Sequence, residues 1–372
     1  MFKLIIAAIL TVFYVGISRP ITVDNVGQIR VIHEVYDAPI NTMAQETTYL
    51  AFDTHSKLLG IVNAAAPWVD GNIYFFDLTT FQSVELINDV ELVGTSLYFT
   101  NEWLLVGRQF GDLERYDLVT EKLLCTTPIG VNGDIEDIST SANHEYIAVV
   151  ATTELRGEYI FYLAKFDQEP LIRIPTGQLG RGYSTELHPS DNIVAVAITQ
   201  MYREDFGIPR LPGQNVITGV QIWNADTAEL ISFCDKYRWG LAYTNTLVFT
   251  PDGHKIIYMA EDGIRIWDMR DCREFDEPWV ILEAPSETEY LMTFAMHPTE
   301  PILVTAYRSS EKGRGILRFW DVDTLELLAE ITDYGEGEYN AITNLAFSPD
   351  GTLIASGGQD GMVRLWGIPS GE

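Results

Sequence analysis

Residues 342–368 read ITNLAFSPDGTLIASGGQDGMVRLWGI. Three short apolar runs are divided by two turn signals. Ser348-Pro349-Asp350-Gly351 is a turn in which Pro presets φ and Gly accepts a positive φ. Gln359-Asp360-Gly361 carries the Asp-Gly pair of a tight hairpin. The runs are four to seven residues long, alternate or stay apolar throughout, and lack helical period and caps. This pattern specifies strands buried between sheets.

Residues 245–268, NTLVFTPDGHKIIYMAEDGIRIWD, repeat the design, and both copies place Asp (Asp262, Asp360) nine residues after the first-turn Gly. Seven times an aromatic closes such a run: Phe76-Asp77, Tyr116-Asp117, Phe166-Asp167, Trp223-Asn224, Trp267-Asp268, Trp320-Asp321 and Trp366-Gly367. Successive aromatics stand 40, 50, 57, 44, 53 and 46 positions apart. A further run lies between copies, as in AELISF (228–233) and LELLAEI (325–331), which makes four strands per copy, a to d. A recurrence of this length marks one structural unit stamped out repeatedly.

Four-stranded units that end in Trp-Asp resemble the WD-repeat β-propeller family over roughly residues 20–368. The resemblance is closest in copies 5, 6 and 7 and weakest in copies 2 and 3, where Tyr116 and Phe166 replace Trp. It implies an all-β, seven-bladed propeller of four-stranded antiparallel blades. It also implies a buried network of strand-c Trp, strand-b Ser or Thr, turn Asp and a His before strand a. Copy 7 retains Trp366, Ser356 and Asp360 but has Glu338 in place of His, and copy 5 has Tyr258 in place of Ser. No copy has the family's Gly-His pair. The blades are therefore expected to rely on apolar burial more than on that network.

Copy 7 lacks a fourth strand, whereas IRVIHEVY (29–36) precedes copy 1 without a copy of its own. The expectation is ring closure, with the N-terminal strand pairing in the last blade and removing an open edge. Ile29, Val31 and Val35 are expected on one face of it.

Residues 1–18 open with one Lys and a 14-residue apolar stretch, 4–17, short for a membrane span and suited to a signal-peptide core. Gly16 and Ser18 supply small residues before a cleavage point at Arg19. An uncleaved anchor and a buried strand are the alternatives. Residues 19–372 form one propeller domain on this reading. The segment ITVDNVGQIRVI resembles the leader of bacterial WD-repeat propellers, which implies an exported, extracytoplasmic protein (secreted or in a periplasm-like space), or one anchored to a membrane by residues 4–17.

The formal net charge is −29. Such a surface repels nucleic-acid phosphates, and it favours solubility. Three cysteines, Cys125, Cys234 and Cys272, are too few for a disulfide framework and read as single thiols, with a Cys234–Cys272 bridge the alternative. Of the histidines His33, His55, His144, His188, His254 and His297, the last five fall in or beside a–b turns; His188-Pro189 and His297-Pro298 occupy the place of Ser348-Pro349. Their spacing matches no metal motif, and no nucleophile elbow, phosphate loop or recognisable carboxylate pair is present, so no catalytic residue, metal or cofactor is assigned. Asp77, Asp117, Asp268 and Asp321 read as strand-terminal turn residues.

Loop length carries the remaining information. The b–c connections carry insertions at 64–72, 152–158, 201–218 and 307–315, and the resemblance places them on one end of the ring together with the d–a loops. That end gathers Trp68, Arg108, Arg156, Arg181, Tyr183, Arg203, Arg210, Tyr237, Arg238, Trp239, Arg308 and Arg314. Arg, Trp and Tyr are enriched in binding hot spots, and insertions in repeat proteins map to binding faces. The expected function is a non-catalytic, monomeric interaction scaffold that docks a protein or peptide partner there. Solvated hairpin tips are the plain alternative. A propeller hydrolase or lactonase-like enzyme with a channel metal, or a small-ligand carrier, are the other readings.

Overall fold

The computed structural model describes residues 19–369 apart from 36–45, 65–70, 88–92, 130–134, 142, 144, 153–158, 166–171, 175–179, 202–215, 238–246, 261–262, 271–279, 283–287, 310–314, 333–340 and 360. Among the described residues the strands are antiparallel and fall into seven sheets, taken in chain order of their a strands. Sheet 1 contains Glu46–Phe52, Leu58–Ala64, Gly71–Asp77 and Gln82–Val84, with Val93–Gly94 as a short addition. Sheet 2 runs Ser96–Phe99, Trp103–Gly107, Asp112–Asp117, Lys122–Pro128, and sheet 3 runs Ile135–Thr140, Tyr146–Thr152, Tyr159–Lys165, Ile172–Ile174. Sheet 4 is Gly180–Leu187, Ile193–Met201, Val216–Asn224, Leu230–Tyr237, and sheet 5 is Leu247–Phe249, Lys255–Ala260, Gly263–Asp268, Val280–Leu282. Sheet 6 is Glu289–Met296, Ile302–Ser309, Gly315–Asp321, Leu327–Ile331. Sheet 7 is Ile342–Phe347, Leu353–Gly358 and Val363–Gly367, with Arg30–Val35 on its outer edge.

Apolar side chains on the two faces of each sheet enter different clusters. Leu105 meets Ile135 and Ile147 between sheets 2 and 3, while Leu104 and Val106 meet Val62 and Phe75 between sheets 1 and 2. The same alternation fills the spaces 3–4, 4–5, 5–6 and 6–7. Leu353 and Leu365 of sheet 7 join Leu50, Leu59 and Phe76 of sheet 1. Strands a of consecutive sheets touch all the way round, that of sheet 7 meeting that of sheet 1. The molecule is an all-β propeller of antiparallel sheets whose a strands surround its axis.

Arg30–Val35 pairs with Val363–Gly367, Val31 standing opposite Trp366. Arg19 bridges to Ile368, and the Ile21 amide donates to the Gly351 carbonyl at 3.0 Å. Ile29, Val31 and Val35 do not share one face as the alternation suggested. The register slips between Val31 and His33, and an extra residue reverses side-chain parity. Ile29 and Val31 consequently enter the cluster toward sheet 6, and Val35 enters the cluster toward sheet 1. The strand thus contributes to both neighbouring interfaces, each buried branched side chain worth about 1.5–3 kcal/mol before entropy is counted.

The strand-terminal acidic residues organise the c–d turns. Asp77 Oδ1 accepts the amides of Thr79 and Thr80, Asp117 Oδ1 those of Val119 and Thr120, and Asp321 Oδ1 those of Asp323 and Thr324. Asn224 does the same for Asp226 and Thr227, and Asp268 for Arg270. Four residues on, Phe81, Glu121, Ala228 and Leu325 each adopt positive φ, and each amide returns to the carbonyl of the Asp or Asn. Phe166, Asp167, Asp262, Glu338 and Asp360 lie outside the described residues.

Removing residues 20–36 strips an outer strand and part of two interfaces. The truncated protein is expected to unfold or aggregate; a cooperative melt at the parent temperature would contradict the role given to this strand.

Candidate functional site

The two ends of the propeller differ in their chemistry. At the a–b end, one polar side chain per turn receives backbone amides. Thr250 Oγ1 accepts from Lys255 at 3.0 Å, Ser348 Oγ from Leu353 at 2.9 Å and Ser141 Oγ from Tyr146 at 2.9 Å. His188 and His297 fill that place in sheets 4 and 6. Nδ1 of His188 accepts from Asp191 at 2.9 Å, and Nδ1 of His297 accepts from Glu300 at 2.9 Å. With Nδ1 an acceptor, the proton sits on Nε2, which donates to the carbonyl of Gly253 (3.0 Å) or Gly351 (3.2 Å) in the next sheet. Burial lowers the pKa of His297, keeping it neutral. His55 and His254 also lie in a–b turns, His33 lies in the edge strand of sheet 7, and His144 is outside the described residues. His188 and His297 fasten turns of neighbouring sheets to one another; among the described residues no group of three or more His, Cys, Asp or Glu is arranged to hold a metal.

The opposite end carries the long loops. The strands reach further into them than the sequence suggested: strand b of sheet 4 ends at Met201 and strand c begins at Val216, while in sheet 6 the corresponding limits are Ser309 and Gly315. Arg308 therefore stands in a strand, as do Arg181 and Tyr183 in Gly180–Leu187 and Tyr237 in Leu230–Tyr237. β-Pairing continues because each added residue satisfies backbone groups that a loop would leave to water. The side chains of Arg181, Tyr183 and Tyr237, and all of Trp68, Arg156, Arg203, Arg210, Arg238, Trp239 and Arg314, lie outside the described residues.

Two members of the expected set can be placed. Arg108 sits in the b–c turn of sheet 2, but its guanidinium donates to the Val93 carbonyl and lies 3.9 Å from Glu114. It pins the 1–2 junction rather than projecting outward. Arg308 is exposed and stands opposite Tyr290, itself 58% exposed, on the paired strands a and b of sheet 6. Beneath them Arg318 is buried, donates to Glu289 at 2.8 Å and Glu330 at 2.7 Å, and lies over the Tyr307 ring. That ion-pair set spans strands a, c and d and fixes the rim on which Tyr290 and Arg308 are displayed. Phe110, 68% exposed with φ 71°, projects from the b–c turn of sheet 2 at the same end. Neither Tyr290 nor Phe110 was singled out from the sequence, because an aromatic in a strand or a short turn carries no mark of exposure.

The axis holds a polar cluster that sequence spacing also concealed. Asp137 on strand a of sheet 3 is buried. Its carboxylate accepts from Tyr49 Oη of sheet 1 at 3.0 Å, Ser184 Oγ at 2.9 Å and the Thr185 amide at 2.9 Å, both of sheet 4, and its own neighbour Ile138 at 3.0 Å. Burial raises its pKa to about 6, and burial together with the Asp137 charge raises Glu186 to about 8. The two carboxylates stand on the a strands of sheets 3 and 4, a placement that the absence of a recognisable pair in the sequence did not signal. Their separation of 49 positions, from 137 to 186, resembles no pair motif; only the ring brings adjacent a strands together.

The repeat aromatics find diverse partners. Trp366 Nε1 donates to Ser356 at 2.9 Å and Trp320 Nε1 to Thr305 at 2.9 Å. Thr305 went unnoticed because the inserted b–c loop stretches its distance from Trp320. Trp223 Nε1 turns to Gln221, and Tyr116 Oη donates to Glu114. Buried Trp267 Nε1 has no hydrogen-bond partner among the described residues.

Residues 330–367 match the family model described as "WD domain, G-beta repeat". The chain is similar to Jouberin of Rattus norvegicus, at 27% identity over 42% of this chain and 16% of that protein. It is also similar to Striatin of Homo sapiens, at 26% identity over 41% of this chain and 19% of that protein. Protein ROOT INITIATION DEFECTIVE 3 of Arabidopsis thaliana is 36% identical over 19% of this chain and 17% of its own length. The chain thus spans less than a fifth of the length of each of these three relatives. These relatives are eukaryotic.

A Cβ added to Gly253 would lie 2.2 Å from His188 Nε2, at a φ of +71°. Gly253→Ala is expected to lower unfolding free energy by about 1–3 kcal/mol, read from urea melts. His297 favours its neutral form in the fold, so its contribution is complete above the unfolded pKa of about 6.5 and declines as pH falls below that value. The stability difference between the parent and His297→Asn should therefore shrink between pH 8 and pH 5.5 in the same assay.

Proposed function

We propose that this chain is a non-catalytic protein-interaction scaffold, a seven-bladed ring closed by its N-terminal strand, which docks a protein or peptide partner on the b–c/d–a end. The observation that carries the reading is the asymmetry of the ends. One end is occupied by side chains committed to capping their own turns, whereas the other displays Tyr290, Arg308 and Phe110 beside the inserted loops. Exposed aromatic and Arg side chains on a rigid support lose little freedom on binding, which is what hot spots require. The WD-repeat match and the similarity to Jouberin and Striatin support a repeat scaffold.

The alternative, a channel-metal hydrolase, asks for carboxylate oxygens free to coordinate. Asp137 already accepts four hydrogen bonds. Export by way of residues 1–18 belongs to the same proposal and is supported by the apolar core at 4–17; N-terminal sequencing of the extracytoplasmic fraction tests it.

Replacing Tyr290 and Arg308 together by Ala is expected to weaken capture of partners from the native source at least tenfold. Arg203, Arg210 and Arg238 changed to Ala should do the same. Val119→Ala, at the opposite end, serves as the control. Unchanged capture by both loop-end variants would place the docking surface elsewhere.

A further inference from the structure

Among the described residues six that are not glycine adopt positive φ, a conformation that crowds an L side chain against its own backbone. Four of them, Phe81, Glu121, Ala228 and Leu325, hold one recurring place in the c–d turns. The two large apolar ones gain burial in return. The Phe81 ring lies 4.9 Å from that of His33 and packs against the cluster between sheets 7 and 1, and Leu325 packs against the cluster between sheets 5 and 6. Ser56, in an a–b turn, accepts the Asp350 amide of sheet 7 at 3.0 Å. Phe110 differs from all of these. Its φ is 71°, it is 68% exposed, and it enters neither of the core clusters that flank sheet 2.

The turn that carries Phe110 is held from several sides. The Arg108 amide donates to the Asp112 carbonyl at 2.9 Å, and the Gly111 amide donates to the Arg108 carbonyl at 3.4 Å. The Ile129 amide donates to the Gly111 carbonyl at 2.8 Å, and the Ile135 amide of sheet 3 donates to the Arg108 carbonyl at 3.4 Å. On the other side the Arg108 guanidinium donates to the Val93 carbonyl, in the short addition to sheet 1. Strained backbone persists only where its surroundings over-determine it. Gly or Asn would suit this conformation without exposing a phenyl ring to water. Phe110 thus combines backbone strain with apolar exposure, and among the described residues no packing offsets either. Breaches of local preference of this kind mark functional positions.

Resting on the docking role given to this end, we propose that Phe110 is a pre-set hydrophobic knob that enters an apolar pocket on a folded protein partner. A ring at the tip of a tight, braced turn is convex, so its complement is a concavity. A linear peptide offers none, whereas a folded surface does. The ring supplies a large apolar area, and the fixed turn loses little freedom on docking. The formal net charge of −29 sets the rest of the surface against anionic lipid headgroups.

The test places p-benzoylphenylalanine, a photoreactive residue, at position 110 of the full chain in its native source, and at position 119 in a second protein. The expected result is a cross-link at 110, absent at 119, that mass spectrometry maps to apolar residues lining a pocket of one folded protein. Against that purified protein, Phe110→Asn should weaken binding at least tenfold, and Phe110→Leu, which keeps an apolar side chain, should weaken it less. Phe110→Asn should melt no lower than the parent, because Asn tolerates this φ and no packing is lost, whereas Phe81→Asn should melt lower. A cross-link to an unstructured segment, to lipid or to a second copy of this chain would overturn the proposal, as would none above the level at 119. So would a Phe110→Asn protein that melts well below the parent, since the ring would then serve the fold. If any of these results accompanies loss of capture by the Tyr290/Arg308 double variant, the docking end stands and the knob alone is refuted. If that capture is unchanged as well, both readings fall.

Discussion

The face-to-face burial of one sheet against the next is the contact on which every other feature rests. Each strand sends alternate side chains into two different interfaces, as Leu104 and Leu105 do on either side of sheet 2. No sheet holds its own core. The apolar surface of any one sheet is removed from water only if both neighbours are present. The condition must hold for sheet 7 as well, and there it is met by chain from the far end of the sequence. Arg30–Val35 completes the sheet, and its bulge lets three branched side chains serve two interfaces.

Polar groups are fitted around that requirement in three ways. Turn acceptors (Asp77, Asp117, Asn224, Thr250, Ser348, His188 and His297) satisfy backbone amides that hairpin ends would otherwise leave open. Indole and phenol tips find whatever acceptor the local strand supplies: Ser356, Thr305, Gln221 or Glu114. Buried charges are offset where a cation is at hand, as with Arg318 between Glu289 and Glu330. On the axis, four donors converge on the Asp137 carboxylate, and burial raises its pKa.

On the proposed function, this division also separates stability from recognition. The turn end has its polar capacity consumed by the fold and by links between neighbours, such as His188 to Gly253 and Lys255 to Asp323. The loop end keeps an exposed aromatic and an exposed Arg on a rim braced from below by an ion-pair set. A rigid support with free side chains is suited to binding by pre-organisation.

Strands, turns and the repeating unit were legible from residue order, because alternation, Pro-Asp-Gly and Asp-Gly turns and the closing aromatic act over fewer than ten positions. So was the role of His188 and His297 as turn residues, since both occupy the place of Ser348. The face of Val35 was not, because a single bulged residue reverses parity without any compositional sign. Nor were the exposure of Tyr290, the engagement of Arg108 or the meeting of Asp137 with Tyr49 and Ser184. Those depend on which strands become neighbours around the axis, 88 and 47 residues apart in the chain. Local chemistry settled the repeating unit. The stacking of sheets alone determined which side chains it would bury together, because proximity across the axis has no counterpart in sequence distance.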